Sequence, residues 1–133
     1  MTSNELREKF MDVLKREFPA VIYKERTLKS GNIRYSLYVP NNNNKKRWMQ
    51  LDANPQYLSI AMDHNYGEIK KGDLINLGLS YGLNGSSSGI HLRKNNDAVN
   101  ISIFIHESYD FTKEEFLHFL HKHYQSYIRK INK

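Results

Sequence analysis

An apolar residue stands at every second position from residue 99 to residue 105. Val99, Ile101, Ile103 and Ile105 fall on one side, and Asn100, Ser102, Phe104 and His106 fall on the other. A period of two is that of a β-strand with one face covered and the other open. Strands are also predicted over residues 21–28, which are rich in strand-forming residues but mixed in pattern, and over 33–39, 48–52, 57–63 and 90–94. In the second of these, Ile33, Tyr35, Leu37 and Val39 share a face; in the fourth, Leu58, Ile60 and Met62 do. Short polar segments join the strands in pairs: Lys29-Ser30-Gly31-Asn32, Ala53-Asn54-Pro55-Gln56 and Asn95-Asn96-Asp97-Ala98. Connections of this length and composition make hairpins.

The period changes at both ends of the chain. Leu6, Phe10, Val13, Leu14 and Phe18 recur every three or four residues, which predicts an amphipathic helix. Thr2 followed by Glu5 has the spacing of a capping box, and Pro19 ends the pattern. A second helix is predicted after Thr112, with Thr112 as N-cap, Glu115 at the third helical position, and Phe111 and Phe116 as a hydrophobic staple. Its apolar stripe is Phe116, Leu117, Leu120, Tyr124, Tyr127, Ile128 and Ile131. Residues 64–89 carry the weakest pattern. Leu74, Ile75, Leu77 and Leu79 fit either a short strand or a helical turn, and residues 82–89, rich in Gly and Ser, read as a loop.

Helix, about six strands joined by short loops, then helix gives an α+β fold. The N- and C-terminal helices would pack on one face of an antiparallel sheet, as a two-layer sandwich, in a single domain spanning residues 1–133. A closed barrel is the alternative. The helix–sheet–helix order resembles small bacterial adaptor folds such as secretion-chaperone-like domains in layout alone. No shared motif accompanies that likeness, and it carries over no functional residue.

Composition narrows the function classes. The chain has 133 residues, no cysteine and a formal net charge of +6. Disulfides, thiolate metal sites and a cysteine nucleophile are excluded, and a cytoplasmic location is expected. No apolar run approaches the roughly 20 residues of a membrane span, so no membrane association is expected. The basic balance favours anionic partners.

The candidate chemistry lies on the polar side of the strands. If Val99, Ile101 and Ile103 face the helices, then Arg34, Tyr38, Tyr57, His91, Arg93 and Phe104 face outward. Lys45-Lys46-Arg47 precede Trp48 in a polar loop. Rings for stacking interleaved with cations for phosphates is the composition of a single-stranded nucleic-acid platform. The same residue types populate protein interfaces, and aromatic residues favour strands whether or not they bind anything.

Other constellations are thinner. His118 and His121 are spaced to share a metal on one helix face, with His123 off that face, but the His-Glu-x-x-His pattern of a zinc protease is missing. Asp63 with Glu68-Ile69-Lys70 approximates an Asp…Glu-x-Lys nuclease set, although Glu68 follows Tyr66-Gly67 in a turn. His106-Glu107 and Tyr109-Asp110 offer acid–base groups at the end of the last strand. No phosphate-binding glycine motif is present. The sequence therefore reads as a basic, non-enzymatic binding protein with no cofactor. Its expected partner is nucleic acid or an acidic protein, met by Arg34, Tyr38, Lys45, Lys46, Arg47, Trp48, Tyr57, His91, Arg93 and Phe104. The alternative is a protein-interaction module: a homodimer, an adaptor, or a phage- or mobile-element-encoded inhibitor.

Overall fold

Seven strands form one sheet with two long helices at the chain ends. The computed structural model describes residues 1–40 and 46–133. Lys45 lies outside them. In chain order the elements are α1 (Ser3–Glu17), β1 (Ile22–Thr27), β2 (Ile33–Tyr38), β3 (Met49–Ala53), β4 (Tyr57–Asp63), β5 (Ser80–Tyr81), β6 (Gly89–Leu92), β7 (Ala98–Phe104) and α2 (Glu114–Ile131). The sheet order is β1-β2-β3-β4-β7-β6-β5, antiparallel throughout except between β5 and β6. The expected α+β class holds, and the barrel alternative does not: β1 and β5 are edges. The strand count is seven rather than six. The added strand, β5, has two residues, too few to show a period in sequence.

Register settles which side chains share a face. Pairing of Tyr35 with Leu51, Leu51 with Ile60, and Ile60 with Ile101 lines up the apolar positions in one row across the sheet. These residues are buried against Leu6, Phe10 and Leu14 of α1 and Phe116, Leu120 and Tyr127 of α2, in one continuous core. The helices meet through rings. Phe10 of α1 lies 6.2 Å from Phe116 of α2, and Phe18, which caps the end of α1, lies 4.8 Å from Tyr124 of α2. Leu74, Leu77 and Leu79 are also buried in this core, reached through a 3-10 turn over Lys71–Asp73 rather than a strand.

The first capping box forms as the spacing predicts. Thr2 Oγ1 accepts from the Glu5 amide at 3.1 Å, and Glu5 accepts from the Thr2 amide at 3.0 Å. The second does not. Asp110 takes both the amide and the hydroxyl of Thr112, at 2.8 and 2.5 Å, in a local turn that occupies the would-be cap. The helix starts one residue later, with Lys113 at the N-cap and no side-chain cap bond. The apolar part of the prediction survives: the Phe111 and Phe116 rings are 5.9 Å apart.

The last strand also ends earlier than its alternation suggests. Residues Ile105–Glu107 form a 3-10 turn, and Ser108 adopts the left-handed conformation with φ 49°. His106 therefore leaves the sheet. Among the described residues no helix is long and apolar enough to cross a membrane.

Candidate interaction surface

Among the described residues no element lies over the sheet face opposite the helices, and register places its residues in rows. One row runs Arg26, Arg34, Asp52, Ser59 and Ser102; the next runs Lys24, Ser36, Gln50, Ala61, Asn100 and His91. The central positions are short side chains, so the floor is shallow. Most are half-buried by their neighbours in the sheet, and among the described residues the Asn100 side-chain oxygen has no hydrogen-bond partner. Cations stand at both sides: Lys24 and Arg26 on β1, and Arg93 beyond β6.

The predicted site residues divide on this surface. Arg34, Tyr38, Tyr57 and His91 all lie on the uncovered face, half-buried, and Arg93 is exposed at its rim. Arg34 already has a partner. Its Nε and terminal nitrogen donate to the two Asp52 oxygens at 2.8 Å each, in the bidentate geometry that suits guanidinium and carboxylate. That pair raises the Arg34 pKa further and leaves the local charge balanced. Tyr38 carries the Lys24 ammonium 5.4 Å from its ring centre. Tyr57 stacks on Phe104 with centroids 5.0 Å apart.

Four predicted residues take other roles. Trp48, read as a stacking ring, is fully buried. It precedes β3, its amide donates to Leu37 O and its carbonyl accepts from the Asp63 amide, and these bonds turn the indole into the core. Phe104 shows only 6% of its surface, covered by Tyr57 and by His106 at 5.8 Å. Neither ring is open to a base. Lys46 and Arg47 are exposed, but the Lys46 carbonyl accepts from Tyr127 at 2.7 Å and Arg47 approaches Asp63 at 3.6 Å.

On the helix side the structure gathers a polar chain that sequence reasoning missed. Trp48 Nε1 donates to His123 Nδ1 at 2.9 Å, His123 Nε2 meets His64 Nδ1 at 3.0 Å, and His64 Nε2 meets Asn96 Oδ1 at 2.9 Å. Indole only donates, so His123 Nδ1 must accept and Nε2 must carry its proton. His64 then accepts at Nδ1 and donates from Nε2 to Asn96. Every group is satisfied with both rings neutral. Burial pushes both pKa values down, His123 well below the ordinary range. His123, off the face shared by His118 and His121, is fully buried in the core.

A second cluster ties the loop after β4 to α2. The Glu68 carboxylate accepts from Arg129 Nε at 2.9 Å, Ser126 Oγ at 2.8 Å and Asn65 Nδ2 at 2.6 Å. Arg129 is the largest cause, and together these bonds hold the Glu68 pKa at about 2. Glu68 is thus a clamp, engaged on both oxygens. Asp63, the other carboxylate of the nuclease-like pair, has its pKa raised by burial and sits beside Arg47. Of the helix histidines considered as metal ligands, His121 bonds Glu17 at 2.9 Å and His118 is exposed. Among the described residues no group of three His, Cys, Asp or Glu is placed to hold a metal ion.

No family model matches the chain, and neither a curated protein nor a solved structure matches it at a significant level.

Proposed function

We propose that this protein is a binding module that receives an anionic protein partner on its uncovered sheet face. One observation carries the reading. Among the described residues Lys24, Arg26 and Arg93 have no carboxylate within 4.0 Å, although they rim a face that nothing covers. A cation left without a local partner beside a shallow floor of Ser36, Ser59, Ala61 and Ser102 favours a partner that brings the opposite charge.

A protein partner is favoured over single-stranded nucleic acid by the fate of the rings. Base stacking needs open aromatic faces. Trp48 and Phe104 are buried, and Tyr57 is engaged with Phe104. Binding is favoured over catalysis by the use of Glu68 as a clamp, which removes the carboxylate the nuclease-like reading needs.

Fluorescence anisotropy with a labelled poly-glutamate peptide and a labelled oligothymidine tests the proposal. The poly-glutamate probe is expected to bind at low salt, and the Lys24→Glu, Arg26→Glu, Arg93→Glu triple variant is expected to lose that binding. Tighter binding of oligothymidine would transfer the reading to nucleic acid. Equal poly-glutamate binding by the variant would remove the uncovered face as the site.

A further inference from the structure

We infer that the free edge of β1 is a docking site for an extended strand of another protein, one that alternates acidic and apolar side chains. The inference rests on the protein-partner reading above and names how such a partner would attach. Among the described residues β1 ends the sheet, paired on one side only with β2, and all six of its residues are exposed. An edge of this kind offers a row of unpaired amide and carbonyl groups to an added strand.

The two faces of β1 differ in chemistry. Lys24 lies opposite Ser36 and Arg26 opposite Arg34, so both cations point to the uncovered face. Tyr23 lies opposite Leu37 and Glu25 opposite Tyr35, so these point to the helix side. On that side, α1 and β1 enclose an apolar groove of about 260 Å³ whose floor is Met11, Leu14 and Leu37 and whose rim includes Lys15 and Tyr23. Tyr23, on this side of β1, is one of the exposed large apolar residues. An added strand with carboxylates on one face and apolar side chains on the other meets both surfaces at once: acids beside Lys24 and Arg26, and one apolar side chain in the groove.

A second copy of the chain does not fit the same edge. Two copies of β1 paired antiparallel through their free edges are related by a two-fold axis normal to the sheet. Each residue keeps its face, so paired residue numbers add to an even sum. The two registers of greatest overlap centre on Lys24 or on Glu25. The first sets Lys24 against Lys24 and Ile22 against Arg26. The second sets Glu25 against Glu25 and Lys24 against Arg26 twice. Like charges directly opposite destabilise a strand pair. The edge therefore disfavours itself and suits a strand of complementary charge.

The test uses the whole isotope-labelled protein and two short synthetic peptides, one alternating Glu and Val and one alternating Lys and Val. The Glu/Val peptide is expected to slow amide exchange in residues 22–27 and to shift the Met11 and Leu14 methyl signals. The Lys/Val peptide is expected to do neither. The Lys24→Glu, Arg26→Glu variant is expected to weaken Glu/Val binding by at least about tenfold, with the near-ultraviolet signal of buried Trp48 showing that it remains folded. Light scattering of the free protein is expected to give a monomer. Shifts confined to Gln50, Ser59 and Asn100 would overturn the edge inference while leaving the binding-module reading intact. No response to Glu/Val peptide at millimolar concentration would also overturn it, and the reading itself falls only if the poly-glutamate probe fails as well. A dimer joined through β1 in the free protein would overturn it too.

Discussion

The indole nitrogen of Trp48 donates to His123 Nδ1 over 2.9 Å, with both side chains fully buried. This one bond fixes the tautomer of His123, and through it that of His64. It also pins the start of β3 to the middle of α2. Replacing His123 by Ala leaves the Trp48 donor and the His64 acceptor without partners in a dry site and opens a cavity. The expected loss is about 2–4 kcal/mol, read from the urea midpoint. A loss below about 1 kcal/mol would show that the chain of bonds contributes little.

The same relay makes stability depend on pH. His64 and His123 are neutral in the folded protein, with pKa values lowered mainly by burial; Lys130 acts in the same direction on both, and Asn96 and Asp97 oppose it at His64. In the unfolded chain both take up protons near pH 6.5. The unfolded state therefore binds more protons as pH falls through that value, and stability falls with it until the depressed folded pKa is reached. A denaturation series from pH 7.5 to 5 is expected to show this decline, and His64→Gln is expected to flatten it. Glu68, with its pKa held at about 2, gives a separate loss, from its ordinary value of 4.5 downward. Asp63, whose pKa is raised, runs the other way: its contribution falls as pH rises.

Glu68→Ala removes the acceptor for Arg129, Ser126 and Asn65 together. The cluster is partly exposed to water, so the expected cost is modest, about 1–2 kcal/mol. Its distinguishing effect is local. Amide exchange at Asn65 and Gly67 is expected to quicken, because the Asn65 amide donates to Ser126 Oγ, which in turn donates to Glu68. Unchanged exchange there would contradict the clamp.

Gly89 is where β5 and β6 approach too closely for a side chain. A Cβ at this position would collide with the Gly82 carbonyl oxygen, and backbone cannot swing aside as a side-chain tip can. Gly89→Ala is expected to cost about 1–3 kcal/mol and to detach β5, read as lost exchange protection at the Gly82 amide, which donates to Ile90 O at 2.7 Å.

Much of this architecture was legible in residue order because burial and period coincide there. The alternation of Val99, Ile101 and Ile103 against Asn100 and Ser102 is the alternation of buried and half-buried residues in β7. The α1 stripe is legible for the same reason. Trp48 misled because it stands just ahead of a strand, where alternation gives no direction. His123 and Ser126 were missed on α2 because a polar residue on an apolar stripe reads as its boundary. Only contacts across the fold, with His64 59 residues away and with Glu68 58 residues away, show that both lie inside. Thr112 had the right spacing for a cap, but Asp110 competes for it from two residues away. The outward row was legible as a set of positions. That Arg34 is neutralised by Asp52 follows from the β2–β3 register, which no local pattern encodes.

The most direct test of where a partner lands is an amide chemical-shift map recorded while poly-glutamate peptide is added to the labelled protein at low salt. The moving signals are expected to belong to Lys24, Arg26, Ser36, Ser59, His91 and Arg93, and added salt is expected to reverse them. Movement confined to α2 around Lys122 and Lys130 would place the anionic partner on the helix layer and contradict the uncovered face as the binding site.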